Sequence, residues 1–239
     1  MTVKRGFGHV EAIISFVIFI AFLVFAFVFF SPLQSGRTLK STSDYAWREV
    51  ADATEQPLEM YSVAIINSPL IPRLIAITIS GTPSSWKATV EDKDGVPIIP
   101  VYTPVDGVVH FDRQANTFVR IKFAQDFAAG DSSIVGTTPL SLDTDYNISS
   151  SETKMIRFEH LFKELNVSYH SDYAGLKQQF NIPNRVQFGF SVRFADGFEI
   201  RASKAIPENA EVLSRADRVE IVRMPSGKLE YADVTVFVW

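Results

Sequence analysis

The 239-residue chain contains no cysteine. That absence removes disulfide frameworks, thiolate nucleophiles and cysteine-based metal sites, and leaves the compartment open. Excess basic charge is lacking too. The formal net charge is −4, so no broad cationic field is available and no nucleic-acid partner is expected. Histidine occurs only at positions 9, 110, 160 and 170, without the spacing of a metal site. No G-x-S-x-G elbow, P-loop or dinucleotide glycine pattern is present. The chain therefore reads as a non-enzyme with no catalytic residue, metal or cofactor. A triad assembled only in space would leave no such trace. His170 and Asp172 flank a helix start, where capping and solvation account for them.

What the chain does have is one long apolar run. Ala12 to Phe30 carries no charge and a single hydroxyl, Ser15. As a helix it spans roughly 28 Å, close to the hydrocarbon thickness of a bilayer. It is apolar all round, unlike a helix on the surface of a soluble domain. A secretory signal would have a shorter apolar core and a small-residue cleavage site, which "FFSPLQSG" does not supply. A plain uncleaved anchor explains the length but not Gly6 or Glu11. A carboxylate costs about 2.5–3.5 kcal/mol at the centre of hydrocarbon, and less near an interface, so Glu11 should have a partner.

The residues just before the run, "KRGFGHVE", resemble the class III signal of type IV pilins and archaeal pilin-like proteins. In that family a membrane peptidase cuts after the glycine of a short basic leader, and the fifth mature residue is Glu. The resemblance implies that Lys4 and Arg5 form the basic leader, that Gly6 ends it, and that Phe7 becomes the N-terminus. Glu11 is then mature position five. By the family mechanism it pairs with the N-terminal amine of a neighbouring subunit, setting register as helices pack into a filament core. The resemblance covers only about the first thirty residues. Gly8 and His9 are less apolar than the family pattern. His9 would add a pH-sensitive charge beside Glu11, although a solvated His at the headgroups is the plainer reading. The implied partners are a prepilin peptidase, the membrane and other pilin-like subunits.

Beyond the run, "SPLQSGRTLKSTSDYAW" is polar, and Pro32 and Gly36 predict a kink or helix end. Residues 42–55 have the spacing of a short amphipathic helix that Pro57 limits. From about residue 60 the period changes to two. "RLIAITIS", "SWKATVED", "GVVHFD" and "TFVRIKFA" read as strands, separated by turn signals such as "GTPSS" and "DKDG". "DKDG" has part of a calcium-loop pattern, but Val96 and Ile98 stand where ligands would, so a hairpin turn is expected. The Ser/Thr/Asp/Gly-rich stretch 130–152 reads as a surface loop and boundary. Asn147-Ile-Ser and Asn166-Val-Ser are candidate N-glycosylation sequons.

"TKMIRFEHLFKELN" (153–166) has apolar residues at helical spacing, with His160 and Glu164 one turn apart. No second His completes a zinc-protease helix there. "SDYAGLKQQFNIP" predicts another short helix. "RVQFGFSVRF" alternates strictly, and "FEIRASKA" follows the "DG" at 196–197 as its hairpin partner. "DRVEIVRM" and "LEYADVTVFVW" form a second hairpin around "PSGK".

The expected class is α+β. An N-terminal hydrophobic helix, transmembrane or in a filament core, precedes a mainly antiparallel β head with short inserted helices. The expected organisation is a leader (1–6), hydrophobic helix (7–31), stalk (32–59), β-sandwich-like subdomain (60–129), loop (130–152) and second α/β part (153–239). The expected location is a single-pass membrane protein with its C-terminal head outside the cell, assembled into a surface filament. The expected function is that of a pilin-like structural subunit; the alternative is a singly anchored binding domain that never polymerises.

Overall fold

The computed structural model describes residues 7–29, 33–66, 70–99, 101–104, 107–134 and 136–239. The chain opens with two helices, α1 (Phe7–Phe29) and α2 (Leu33–Thr54). Eight strands follow: β1 (Glu55–Ile65), β2 (Leu74–Thr78), β3 (Lys87–Asp92), β4 (Pro97–Ile98), β5 (Val101–Tyr102), β6 (Val108–Asp112), β7 (Phe118–Ala124) and β8 (Thr138–Pro139). Strand β9 (Tyr146–Phe158) runs directly into helix α3 (Glu159–Ser171), and α4 (Tyr173–Gln179) comes next. Strands β10 (Phe188–Phe194), β11 (Glu199–Ala202), β12 (Leu213–Val222) and β13 (Leu229–Val238) close the chain.

One sheet orders nine strands as β11-β10-β13-β12-β9-β1-β7-β3-β4, and a second orders four as β5-β6-β2-β8. Pairing in the large sheet is antiparallel except where β12 meets β9. That parallel seam is short, pairing Ile221 with Arg157 and Val222 with Phe158. It joins two antiparallel halves with different cover. On one side, β1, β3, β4 and β7 share a core with β2 and β6 of the small sheet, which makes a sandwich. On the other, β10, β11, β12 and β13 share a core with α2, α3 and α4. A small third cluster, with Leu58, Phe127, Phe158 and Val222, fills the seam.

Local chemistry explains several elements. In β10 the alternating Phe188, Phe190, Val192 and Phe194 are all buried. At the β3–β4 hairpin, Asp92 Oδ1 accepts from the backbone N–H of Asp94 and of Val96, both at 2.9 Å. Gly95 there sits at φ +78°, which glycine adopts without steric cost. The "DKDG" stretch is thus a self-bonded turn. In α4, Asp172 caps the helix by accepting from the Gly175 N–H at 2.9 Å.

Several expectations are corrected. Strand makes up 41% of the chain and helix 25%, so the class is β-rich, dominated by the curled nine-stranded sheet, not α+β. Among the described residues no helix is long and apolar enough to cross a membrane. That overturns the transmembrane helix and, with it, the single-pass location with an extracellular head. The first turns of α1 carry Gly8, His9 and Glu11. The apolar side-chain surface that is described runs from Ala12 to Ala26.

Gly36 does not end a helix, because α2 runs through it to Thr54. Farther along α2, the guanidinium groups of Arg157 and Arg215 lie 5.1 and 5.0 Å from the centroid of the buried Trp47 ring. Cation–π contact and burial override a glycine penalty of about 1 kcal/mol. Residues 146–158 are one strand rather than a loop leading into a helix. β9 pairs with β1 from Tyr146 opposite Ile65 to Arg157 opposite Glu55. Helix α3 starts at Glu159, six residues later than the spacing of Met155, Ile156 and Phe158 predicts.

Candidate assembly interface

Helix α1 is built from residues that leave it no inward face. From Val10 to Phe29 it contains neither glycine nor proline, so nothing interrupts the backbone hydrogen bonds. Its large apolar side chains are exposed on every side. Phe16, Phe19, Phe22 and Phe25 are 64%, 56%, 65% and 57% exposed. The consecutive run from Phe16 to Ile20 is exposed throughout. At about 100° per residue, that run covers the whole circumference. No described residue of α1 belongs to any of the three cores. The three cores are thus complete without the described side chains of α1.

An exposed apolar surface of this extent marks an interaction site. Each large side chain contributes about 1.5–3 kcal/mol when fully buried. Burying the run from Ile13 to Phe25 would be worth on the order of 20 kcal/mol before entropy is charged against it. The first described residue of α1 is Phe7, and Glu11 follows one helical turn later as an exposed carboxylate. Lys4, Arg5 and Gly6 lie outside the described residues.

The two sequons fall in different settings. Asn147 is an exposed residue near the start of β9. Asn166 sits within α3 with its Oδ1 buried and without a hydrogen-bond partner. His160 and Glu164 do not converge on a site. His160 Nε2 lies 2.7 Å from Asp126 Oδ2, and Glu164 is exposed. Among the described residues no group of three or more potential metal ligands occurs. His170 is exposed and makes an edge contact with the Tyr169 ring.

The structure also assembles groups that no motif announced. Lys122 and Glu91 form a buried ion pair, and Lys122 Nζ donates to the Gly227 carbonyl at 3.1 Å. Burial pulls the Lys122 pKa below its ordinary value, while the bond to Glu91 opposes that shift. Arg120 completes the cluster at 2.6 Å from Glu91. Arg223 binds three carboxylates, those of Glu159, Asp196 and Glu230, at 2.9, 3.2 and 3.1 Å. Its guanidinium also lies 4.2 Å from the Phe194 ring centroid. A cavity of about 330 Å³ opens between β3, β4 and the Pro225–Ser226 turn, lined by Val90, Ile98, Ile99 and Val101. Glu91 is far in sequence from Arg120 and Lys122, as are Glu159 and Asp196 from Arg223, so no local pattern could have revealed those contacts. No family model, curated protein or solved structure matches the chain.

Proposed function

We propose that this chain is a pilin-like structural subunit of a type IV pilus-like filament, processed after Gly6. The observation that carries the reading is α1. It is an apolar helix exposed around its whole circumference, attached to a head whose cores do not use it. Copies of α1 packed side by side would remove that surface from water and form a continuous apolar centre. The β-rich head would stand outside it. The resemblance of "KRGFGHVE" to a prepilin signal supplies the chemistry at the helix end. Leader removal frees an ammonium at Phe7, and Glu11 of a neighbouring copy accepts it.

The deciding measurement is the N-terminal residue of the natural protein, read together with its assembly state. A chain that starts at Phe7 and sediments as filaments supports the proposal. Glu11→Ala should then leave processing intact and abolish filaments, whereas Gly6→Leu should leave the leader attached. A chain that starts at Met1 or Thr2 and remains monomeric overturns the proposal.

A further inference from the structure

We propose that Asn147, and not Asn166, carries an N-linked glycan. Both residues satisfy the same sequence rule, and the fold separates them. The Asn147 sequon crosses an irregularity in β9. Ser62 pairs with Ser150 and Val63 with Ile148, so Ser149 is an extra, unpaired residue of a β-bulge. Its hydroxyl donates to the Ser62 carbonyl at 3.0 Å. With its amide nitrogen facing the neighbouring acceptors, Asn147 lies 3.2 Å from Asp143 Oδ1 and 3.1 Å from the Tyr146 carbonyl.

The backbone around Asn147 is also open. β9 pairs with β1 on one side, whereas β12 meets β9 on the other side only at Arg157 and Phe158. The edge from Asn147 to Met155 thus pairs with no strand on that side among the described residues, and its side chains are mostly exposed. A transferase can approach an extended segment of this kind. Asn166 offers the opposite setting. It lies in the middle of a regular helix between the buried Leu165 and Tyr169, and its own Oδ1 is enclosed.

The reaction is a glycosyl transfer from a lipid-linked sugar pyrophosphate. Nδ2 of Asn147 attacks the anomeric carbon and a C–N bond forms. The anomeric C–O bond breaks, the lipid pyrophosphate leaves, and Nδ2 gives up one proton. The remaining N–H still serves one of the two acceptors. A glycan here also blocks strand addition on the free β9 edge, which is otherwise a template for unwanted pairing.

The inference rests on the reading of the chain as a surface filament subunit, and one preparation tests both. The full-length protein is isolated from its native cells, denatured and cut with trypsin. The sequence yields peptide 123–154, which contains Asn147, and peptide 164–177, which contains Asn166. The expected result is sugar mass on the first peptide and bare mass on the second. Asn147→Gln and, separately, Ser149→Ala should each remove the added mass, the second without touching Asn147. Filaments whose peptide 123–154 has bare mass overturn the glycan and leave the filament reading standing. Sugar on peptide 164–177 overturns the selectivity. Unprocessed monomers with both peptides bare overturn both.

Discussion

The two halves of the large sheet bury their inner faces in different materials. The sandwich half is filled mainly with branched aliphatic residues, such as Ile75, Ile77, Val109, Val119 and Ile121. The helix-covered half adds many more rings to its aliphatic residues: Trp47, Phe162, Tyr169, Phe180, Phe188, Phe190 and Phe194. The packing geometry accounts for this. Two sheets lie about 10 Å apart, a gap that short branched side chains from both faces close. Helices laid on a sheet leave wider and less regular spaces, which rings fill by edge-to-face contact. Tyr169 is the hub of that arrangement, with T-shaped contacts to Tyr173, Phe188 and Phe190 at 4.7, 5.5 and 6.3 Å. Its hydroxyl donates to the Phe188 carbonyl at 2.6 Å, so the ring is held in place by a polar bond as well. The sandwich half instead places its polar reinforcement on the sheet's other face, where Lys122 and Glu91 are covered by the 224–228 turn. Gly227 closes that turn at φ +69°, against the Thr89 side chain, where any Cβ would collide.

The comparison can be broken most strongly at Phe188. Phe188→Ala should cost about 3–5 kcal/mol, because it removes the ring that Tyr169, Tyr173 and Phe180 pack on. Urea unfolding monitored by far-UV dichroism would measure it. In the sandwich half the largest effect should come from a charge. Lys122→Ala leaves Glu91 buried with only Arg120 beside it, at an expected cost of about 3 kcal/mol. Replacing both partners by apolar residues of similar size should recover most of that loss, and the double-mutant cycle reads the coupling.

Smaller changes sharpen the contrast. Tyr146→Phe removes the hydroxyl that donates to the Thr78 carbonyl at 2.7 Å and should cost about 1 kcal/mol. Ile121→Val should cost about 0.5–1.5 kcal/mol, because the sandwich can close on one lost methylene. Alkaline pH gives the mildest test. Burial, helped by the Glu59 carboxylate, pushes the Tyr61 pKa up to about 12 from 10.0. Burial also raises the pKa of Tyr169. A tyrosine raised in the folded state contributes stability that is complete below the unfolded pKa and is lost as pH rises through the folded one. Stability should therefore be flat to about pH 9 and fall between pH 10 and 12, and Tyr61→Phe should flatten part of that fall.

Some of these features were legible in the chain. The alternation of Phe188, Phe190, Val192 and Phe194 reports the buried face of β10 from the sequence alone, because successive side chains of a strand face opposite ways. Asp-Gly at 196–197 marks the turn between β10 and β11, where Gly197 has φ +86°. Other readings failed for a physical reason. Met155, Ile156 and Phe158 fit a helical period as well as a strand, and only pairing with β1 along its whole length decides for the strand. The contact between Trp47, Arg157 and Arg215 joins residues from α2, β9 and β12, so neither it nor the run of α2 past Gly36 could be seen locally. In α1, the apolar run and the position of Glu11 were plain from the sequence. The freedom of α1 from every core of the head was not.

The sequence by itself determined the local matters: which stretches alternate, where turns need Gly or Asp, that no disulfide holds the head, and that one helix is apolar on all sides. These follow from side-chain chemistry within a few residues. Tertiary structure alone decided the rest: the two-residue seam that joins the halves, the burial of Lys122 against Glu91, and the different settings of the two sequons. Each of these depends on which distant segment lies alongside, and on how much water that segment excludes.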